Sequence, residues 1–159
     1  MAPMIEEHPE VQVFDEIGMI ECGVRTIITR CLPLGMTYPQ FEVINFLARR
    51  GERQTPAQIA CALQMTPGAI TNTLQRLEAT GLAAVEPDAV DGRKKRVGMT
   101  PAGRQAYQRA MAAIKPRMAS LREGFTSKEF REVLPFLRAL RVWMEEATQS
   151  AAPGALAAE

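Results

Sequence analysis

Histidine is nearly missing from this sequence: His8 is the only one in 159 residues. Catalytic triads, Cys/His nucleophile pairs and most zinc sites need imidazole, and one copy near the N-terminus supplies none of them. A carboxylate dyad, a glycine-rich phosphate loop and paired-cysteine metal spacing are also missing, so the sequence implies no enzyme, no metal and no cofactor. No apolar run approaches the roughly 20 residues of a membrane span, which leaves the membrane out as a partner. The opening residues Met1-Ala2-Pro3-Met4-Ile5-Glu6-Glu7 lack the basic and apolar segments of a secretory leader, so the expected location is the cytoplasm. An excess of either charge is lacking too. With 19 Lys and Arg against 18 Asp and Glu the net charge is +1, so any nucleic-acid footprint must come from local segregation. The run Arg93-Lys94-Lys95-Arg96 provides that segregation.

What is present is mostly helical periodicity, in an amount suited to one domain. Phe14, Ile17, Ile20, Val24, Ile27 or Ile28, and Cys31 repeat at three- and four-residue steps, giving an amphipathic helix over 10–32 that Pro33 ends. A second helix starts at Thr37, which caps with Gln40; it buries Phe41, Ile44 and Leu47 and closes at Gly51. Near the C-terminus a long helix over 101 to about 122 bends at Pro116, and Gly124 marks a break. Thr126-Ser127-Lys128-Glu129 then opens a last helix, kinked at Pro135, with a stripe of Phe130, Val133, Leu134, Leu137, Leu140 and Met144. The tail 149–159 is small-residue and aperiodic, and is expected to be flexible.

The centre of the chain is the most specific part. Thr55-Pro56-Ala57-Gln58 caps a short helix with Ile59, Ala60 and Leu63 inward. Gln64-Met65 turns the chain, and Thr66-Pro67 caps a second helix whose Ile70, Leu74 and Leu77 share one face. Gly81 ends it, Ala83-Ala84-Val85-Glu86 is strand-like, and residues 88–96 form a basic hairpin tip before Val97 and Met99 return to the core. Thr100-Pro101 caps the next helix. The fold class is therefore mainly α with a small β-hairpin wing: a winged helix-turn-helix.

On that pattern, Gly68, Asn72, Gln75 and Ala79 face outward from the second helix, with Thr71 and Arg76 at the margins. Asn and Gln pair with adenine, Arg with guanine, and Thr meets a phosphate or a thymine methyl. The helix start at Thr66 and Pro67 favours a phosphate, and Gly68 permits close approach. The plain alternative is a solvated surface helix beside a solvated charge run. Its position between a turn and a basic wing favours DNA instead.

In order, Thr37-Tyr38-Pro39-Gln40, Gln58-Ile59-Ala60, Ile70-Thr71, Leu77-Glu78 with Gly81-Leu82, Asp91 with Arg93, and Thr100-Pro101-Ala102-Gly103 resemble the MarR family of bacterial transcriptional regulators. The specific part of the resemblance spans 35–104. It implies a homodimer held by N- and C-terminal helices (10–34 and 102–148) around a DNA-binding region (35–101), all within one domain over 1–159. Surplus apolar surface on the terminal helices points the same way, since two-fold closure would cover it. The implied partner is double-stranded DNA, a pseudo-palindromic operator. Its contacts would be Thr66, Pro67, Gly68, Thr71, Asn72, Gln75, Arg76, Asp91, Arg93, Lys94, Lys95 and Arg96. The resemblance puts Arg93 in the minor groove, with Asp91 orienting the wing. Val90 and Gly92 stand where charged residues are frequent, and Asn72 where arginine is frequent. The implied action is repression, released by a small aromatic or phenolic effector near Cys31, Met36, Tyr38, Phe41 and Met111; as residues these five also suit plain core packing. Two other readings stand beside it: a thiol-based redox regulator using Cys22, Cys31 or Cys61, and a winged-helix protein-interaction module. The first segment is also similar to the organic-peroxide-sensing branch, but that branch's reactive cysteine falls near Val13 here.

Overall fold

The computed structural model describes residues 8–51 and 53–150. The chain divides between Arg117 and Met118 into two compact units. The first holds α1 (Pro9–Cys31), α2 (Tyr38–Arg50), α3 (Pro56–Ala62), α4 (Pro67–Ala79), β1 (Ala83–Pro87), β2 (Lys95–Met99) and most of α5 (Pro101–Ala119). The second holds a 3₁₀ turn, Ser120–Glu123, and α6 (Ser127–Ser150).

Local codes start α2 to α6 where they were read. The Thr37 N–H donates to Gln40 Oε1 at 2.8 Å. The same reciprocal logic recurs at Thr55–Gln58 (2.8 and 3.2 Å) and, in the second unit, at Thr126–Glu129 (2.7 and 3.2 Å). At Thr66 the hydroxyl oxygen accepts the Ala69 N–H at 3.2 Å. The α3–α4 turn passes through Gln64 at φ 51°, a left-handed conformation with no glycine to relieve it. Gly81, at φ 68°, closes α4, and the Leu82 N–H returns to the Leu77 carbonyl at 2.8 Å.

These elements converge on one core of Val43, Ile44, Leu47, Ile59, Ala60, Ile70, Leu74, Leu77, Ala83 and Val97. Each large aliphatic side chain buried there contributes about 1.5–3 kcal/mol of transfer free energy. β1 and β2 pair antiparallel from Ala83↔Met99 to Pro87↔Lys95, and Gln54 bridges to Val97 on the other side of β2. The connection into α5 is tight. The Thr100 hydroxyl donates to the Gly81 carbonyl at 2.6 Å, and a Cβ on Gly103 would lie 1.9 Å from the Leu82 carbonyl oxygen. Only glycine fits at that contact.

Three boundaries differ from the sequence reading. Lys95 and Arg96, assigned to the hairpin tip, are residues of β2, because the loop closes earlier through Asp88 N–H to Lys94 O at 2.8 Å. The α-helical part of α5 stops at Ala119 and passes into the 3₁₀ turn, rather than running to about 122. At the far end, α6 includes Gln149 and Ser150, and the rest of the expected flexible tail lies outside the described residues. α5 and α6 both run on through their prolines, Pro116 and Pro135.

The stripe of α1 is only partly covered and that of α6 is open. α1 has no buried residue: Phe14 and Ile20 are exposed, and Ile17, Val24, Ile27, Ile28 and Cys31 are half-buried. Along α6, Phe130, Val133, Leu134, Leu137 and Met144 are exposed and only Leu140 is half-buried. Among the described residues no helix is long and apolar enough to cross a membrane, and no cluster of His, Cys, Asp and Glu suited to a metal occurs.

Candidate nucleic-acid interface

α4 buries Ile70, Leu74 and Leu77, as its periodicity required, and Thr73 with them. Thr73 was not legible as a core residue, because threonine reads as polar; its hydroxyl is satisfied by the Ala69 carbonyl at 2.8 Å. The opposite face is open. Thr66, Pro67, Gly68, Thr71, Asn72, Gln75 and Arg76 are all exposed. Thr71 donates its hydroxyl hydrogen to the Pro67 carbonyl at 2.8 Å. The side chains of Asn72, Gln75 and Arg76 have no hydrogen bond or ion pair among the described residues.

The hairpin is shaped by its two aspartates. The Asp88 carboxylate accepts the backbone N–H groups of Val90 (2.9 Å) and Asp91 (3.1 Å), and Asp91 Oδ1 accepts that of Arg93 at 3.2 Å. This folds the loop so that Arg93, Lys94 and Lys95 all reach solvent. Lys94 Nζ is 3.8 Å from Asp91 Oδ2, an exposed pair too loose to hold the lysine back. Arg96 behaves differently. It is half-buried, its Nε bonds the Asp88 carboxylate, and its Nη1 donates to the Arg53 carbonyl at 3.1 Å. The Arg96 hydrogen bond, reinforced by those two backbone N–H groups, holds the Asp88 carboxyl well below the usual carboxylate range. Three cations of the run are therefore presented outward, and the fourth braces the hairpin against the chain at Arg53. Glu78 makes the second tie: its Oε1 accepts the Val85 N–H at 3.2 Å, linking α4 to β1. Neither Asp88 nor Arg53 was singled out from sequence, because the brace joins positions 43 residues apart.

The five residues assigned to an effector all lie in the first unit. Phe41 is buried, stacked with Tyr107 at 6.4 Å, while Cys31, Met36, Tyr38 and Met111 are half-buried. Arg25 lies 4.8 Å over the Tyr38 ring and pairs with Glu21 at 2.7 Å. Burial, then the Glu42 carboxylate, raise the Tyr38 phenol; burial raises the Glu42 carboxyl against the opposing pull of Arg25. Among the described residues of this unit are clefts of about 340 and 360 Å³, one beside Arg53, Glu86 and Arg96 and one between Leu47, Gly51, Arg104 and Tyr107. None of the five residues lines either cleft. The thiols of Cys22, Cys31 and Cys61 are all free, with Cys22 and Cys61 exposed.

Comparison with known proteins agrees with this architecture. Residues 34–94 match the family model described as MarR family. The chain is similar to the HTH-type transcriptional repressor Rv2887 of Mycobacterium tuberculosis, 29% identical over 108 residues, covering 68% of this chain and 77% of the relative. Its fold is similar to that of a mutant MarR from E. coli complexed with operator DNA, with a TM-score of 0.71 at 22% identity over 82% of this chain and 94% of that one. It is also similar to Bordetella bronchiseptica BpsR, whose DNA binding is regulated by 6-hydroxynicotinic acid (TM-score 0.70, 24% identity, 82% and 98% covered). The matched segment contains the helix-turn-helix and the wing up to Lys94, and over that segment the chain is similar to the MarR family, whose winged helix-turn-helix fold it shares.

Proposed function

We propose that the chain is a homodimeric, sequence-specific DNA-binding repressor acting in the cytoplasm. The observation that carries this reading is a pairing of surfaces on one small unit. An exposed helix face with unused hydrogen-bonding capacity (Asn72, Gln75, Arg76) is tied through Glu78 to a hairpin presenting Arg93, Lys94 and Lys95. α4 enters the major groove and Arg93 the adjacent minor groove, where concentrated negative potential suits a guanidinium. Arg96 belongs to the wing's framework, with Asp91 and Asp88, rather than to the contact surface.

Dimerisation is supported by the open stripe of α6 and the incompletely covered one of α1. A two-fold pair would read a pseudo-palindrome with half-site centres about 10 base pairs apart. Likeness to a named repressor supports repression as the output. The likeness to BpsR supports a small aromatic or phenolic effector; its placement near Cys31, Met36, Tyr38, Phe41 and Met111 rests on the sequence resemblance alone. Such a ligand would release DNA only by its preference for a dimer geometry that no longer fits the half-site spacing.

Selection of binding sites from randomised DNA, followed by insertion of five base pairs between the selected half-sites, tests the proposal. The intact site binds in a salt-sensitive manner, and the insertion, which turns one half-site to the opposite face of the duplex, abolishes tight binding. Failure to enrich any sequence, or indifference to the insertion, would overturn it.

A further inference from the structure

Thr71 is exposed on the open face of α4, but its hydroxyl is already engaged. A hydroxyl has a single hydrogen to donate, and that of Thr71 goes to the Pro67 carbonyl oxygen, 2.8 Å away. Phosphate oxygens accept and do not donate, so a phosphate bond from this side chain would break the intrahelical one. Thr66 is the opposite case. Its oxygen accepts the Ala69 N–H at 3.2 Å, and its hydrogen remains available to a phosphate at the helix start. What Thr71 still offers to a groove is the accepting lone pairs of that oxygen, held close to the helix by its bond to Pro67, and the other branch at Cβ, its outward γ-methyl. Among the base edges of the major groove, the only apolar group is the 5-methyl of thymine.

We infer that Thr71 reads a thymine 5-methyl through its own γ-methyl, and that Thr66 makes the backbone contact. The inference rests on the DNA-binding reading above. It gives the operator a chemical character: Thr71 selects thymine, while Asn72 one residue on and Gln75 one turn on are suited to adenine. The part of each half-site read by Thr71, Asn72 and Gln75 is therefore A·T, and its readout depends on a thymine methyl.

The test uses the full-length protein and the site it selects from randomised DNA. Each thymine of one half-site is replaced in turn by uracil, which removes the 5-methyl and leaves base pairing intact. One such replacement weakens the wild-type protein roughly fourfold, the weight of one buried methyl. Thr71→Val, which keeps the methyl shape, binds the thymine site within twofold of wild type. Thr71→Ser loses the methyl from both subunits and becomes indifferent to the uracil that hurts the wild type, so the two losses do not add. Thermal unfolding shows that both variants are folded. Additive losses overturn the inference, as does wild-type binding by Thr71→Ser with failure of Thr71→Val. If the wild type selects no sequence at all, the DNA-binding reading falls as well, an outcome distinct from selective binding that ignores the methyl.

Discussion

Two glycines on helices of the same unit should respond to alanine with opposite signs. At Gly103 an added Cβ would stand 1.9 Å from the Leu82 carbonyl oxygen and 3.0 Å from its carbon, so backbone must separate by more than an ångström. The same oxygen accepts the Thr100 N–H at 3.2 Å, and Thr100 anchors α5 through the Gly81 carbonyl and the Gly103 N–H. Overpacking of this kind costs about 1–3 kcal/mol. A disturbed hydrogen bond adds about 1 kcal/mol, and the better helix propensity of alanine returns up to about 1 kcal/mol. Gly103→Ala should therefore lose roughly 1–4 kcal/mol, lowering Tm by roughly 3–16 °C in a unit of this size. Around Gly68 nothing lies within 4 Å of the corresponding Cβ. Gly68→Ala should gain about 0.5–1 kcal/mol from reduced unfolded-state freedom, yet bind DNA less tightly because the methyl occupies the approach surface. Circular dichroism melts at 222 nm measure both. A Gly103→Ala protein within 0.5 kcal/mol of wild type, or one more stable than Gly68→Ala (cutoff of about a noise-level surface substitution), would refute the packing account.

Other positions give equally definite expectations. Gln64→Gly should stabilise the fold by roughly 0.5–1 kcal/mol, because glycine relieves the left-handed turn at φ 51°; an unchanged or lowered Tm would count against strain there. Arg96→Gln should weaken DNA binding about 3- to 10-fold by loosening the wing while leaving the salt slope unchanged, since no phosphate contact is removed; a shallower slope would make Arg96 a direct contact. The Asp88 carboxyl lies below its unfolded value, so its contribution to stability is present above about pH 4 and is lost as pH falls through the lower folded value. The wing should accordingly bind DNA with the same salt slope at pH 5.5 and 8, and a slope that changes across that window would show that the brace titrates where the geometry forbids it.

Much of this fold is written in local codes, which is why it was legible. Thr-x-x-Gln at 37 and 55, Thr-x-x-Glu at 126, and Gly81 each fix an end of a helix through atoms three or four residues apart. The spacing of Ile70, Leu74 and Leu77 assigned the inner face of α4 and so, by subtraction, its outer strip. Properties that depend on distant partners were not legible. Gln40 and Thr73 are polar by type but buried, each satisfied by a nearby hydrogen bond. Arg96 looked like one of four equivalent cations until Asp88 and the Arg53 carbonyl closed on it. The motif ending at Gly103 was visible, but its reason, the Leu82 carbonyl, lies across a strand pair.

The most direct test of the DNA interface is the slope of log K against log salt for the wild type, Arg93→Ala and Arg96→Gln on the selected site. Removing Arg93 from both wings should flatten the slope by about 1.8, at about 0.9 for each lost counterion-releasing contact, while Arg96→Gln runs parallel to the wild type at lower affinity. A wild-type affinity insensitive to salt, or an Arg93→Ala line parallel to the wild type, would contradict the account.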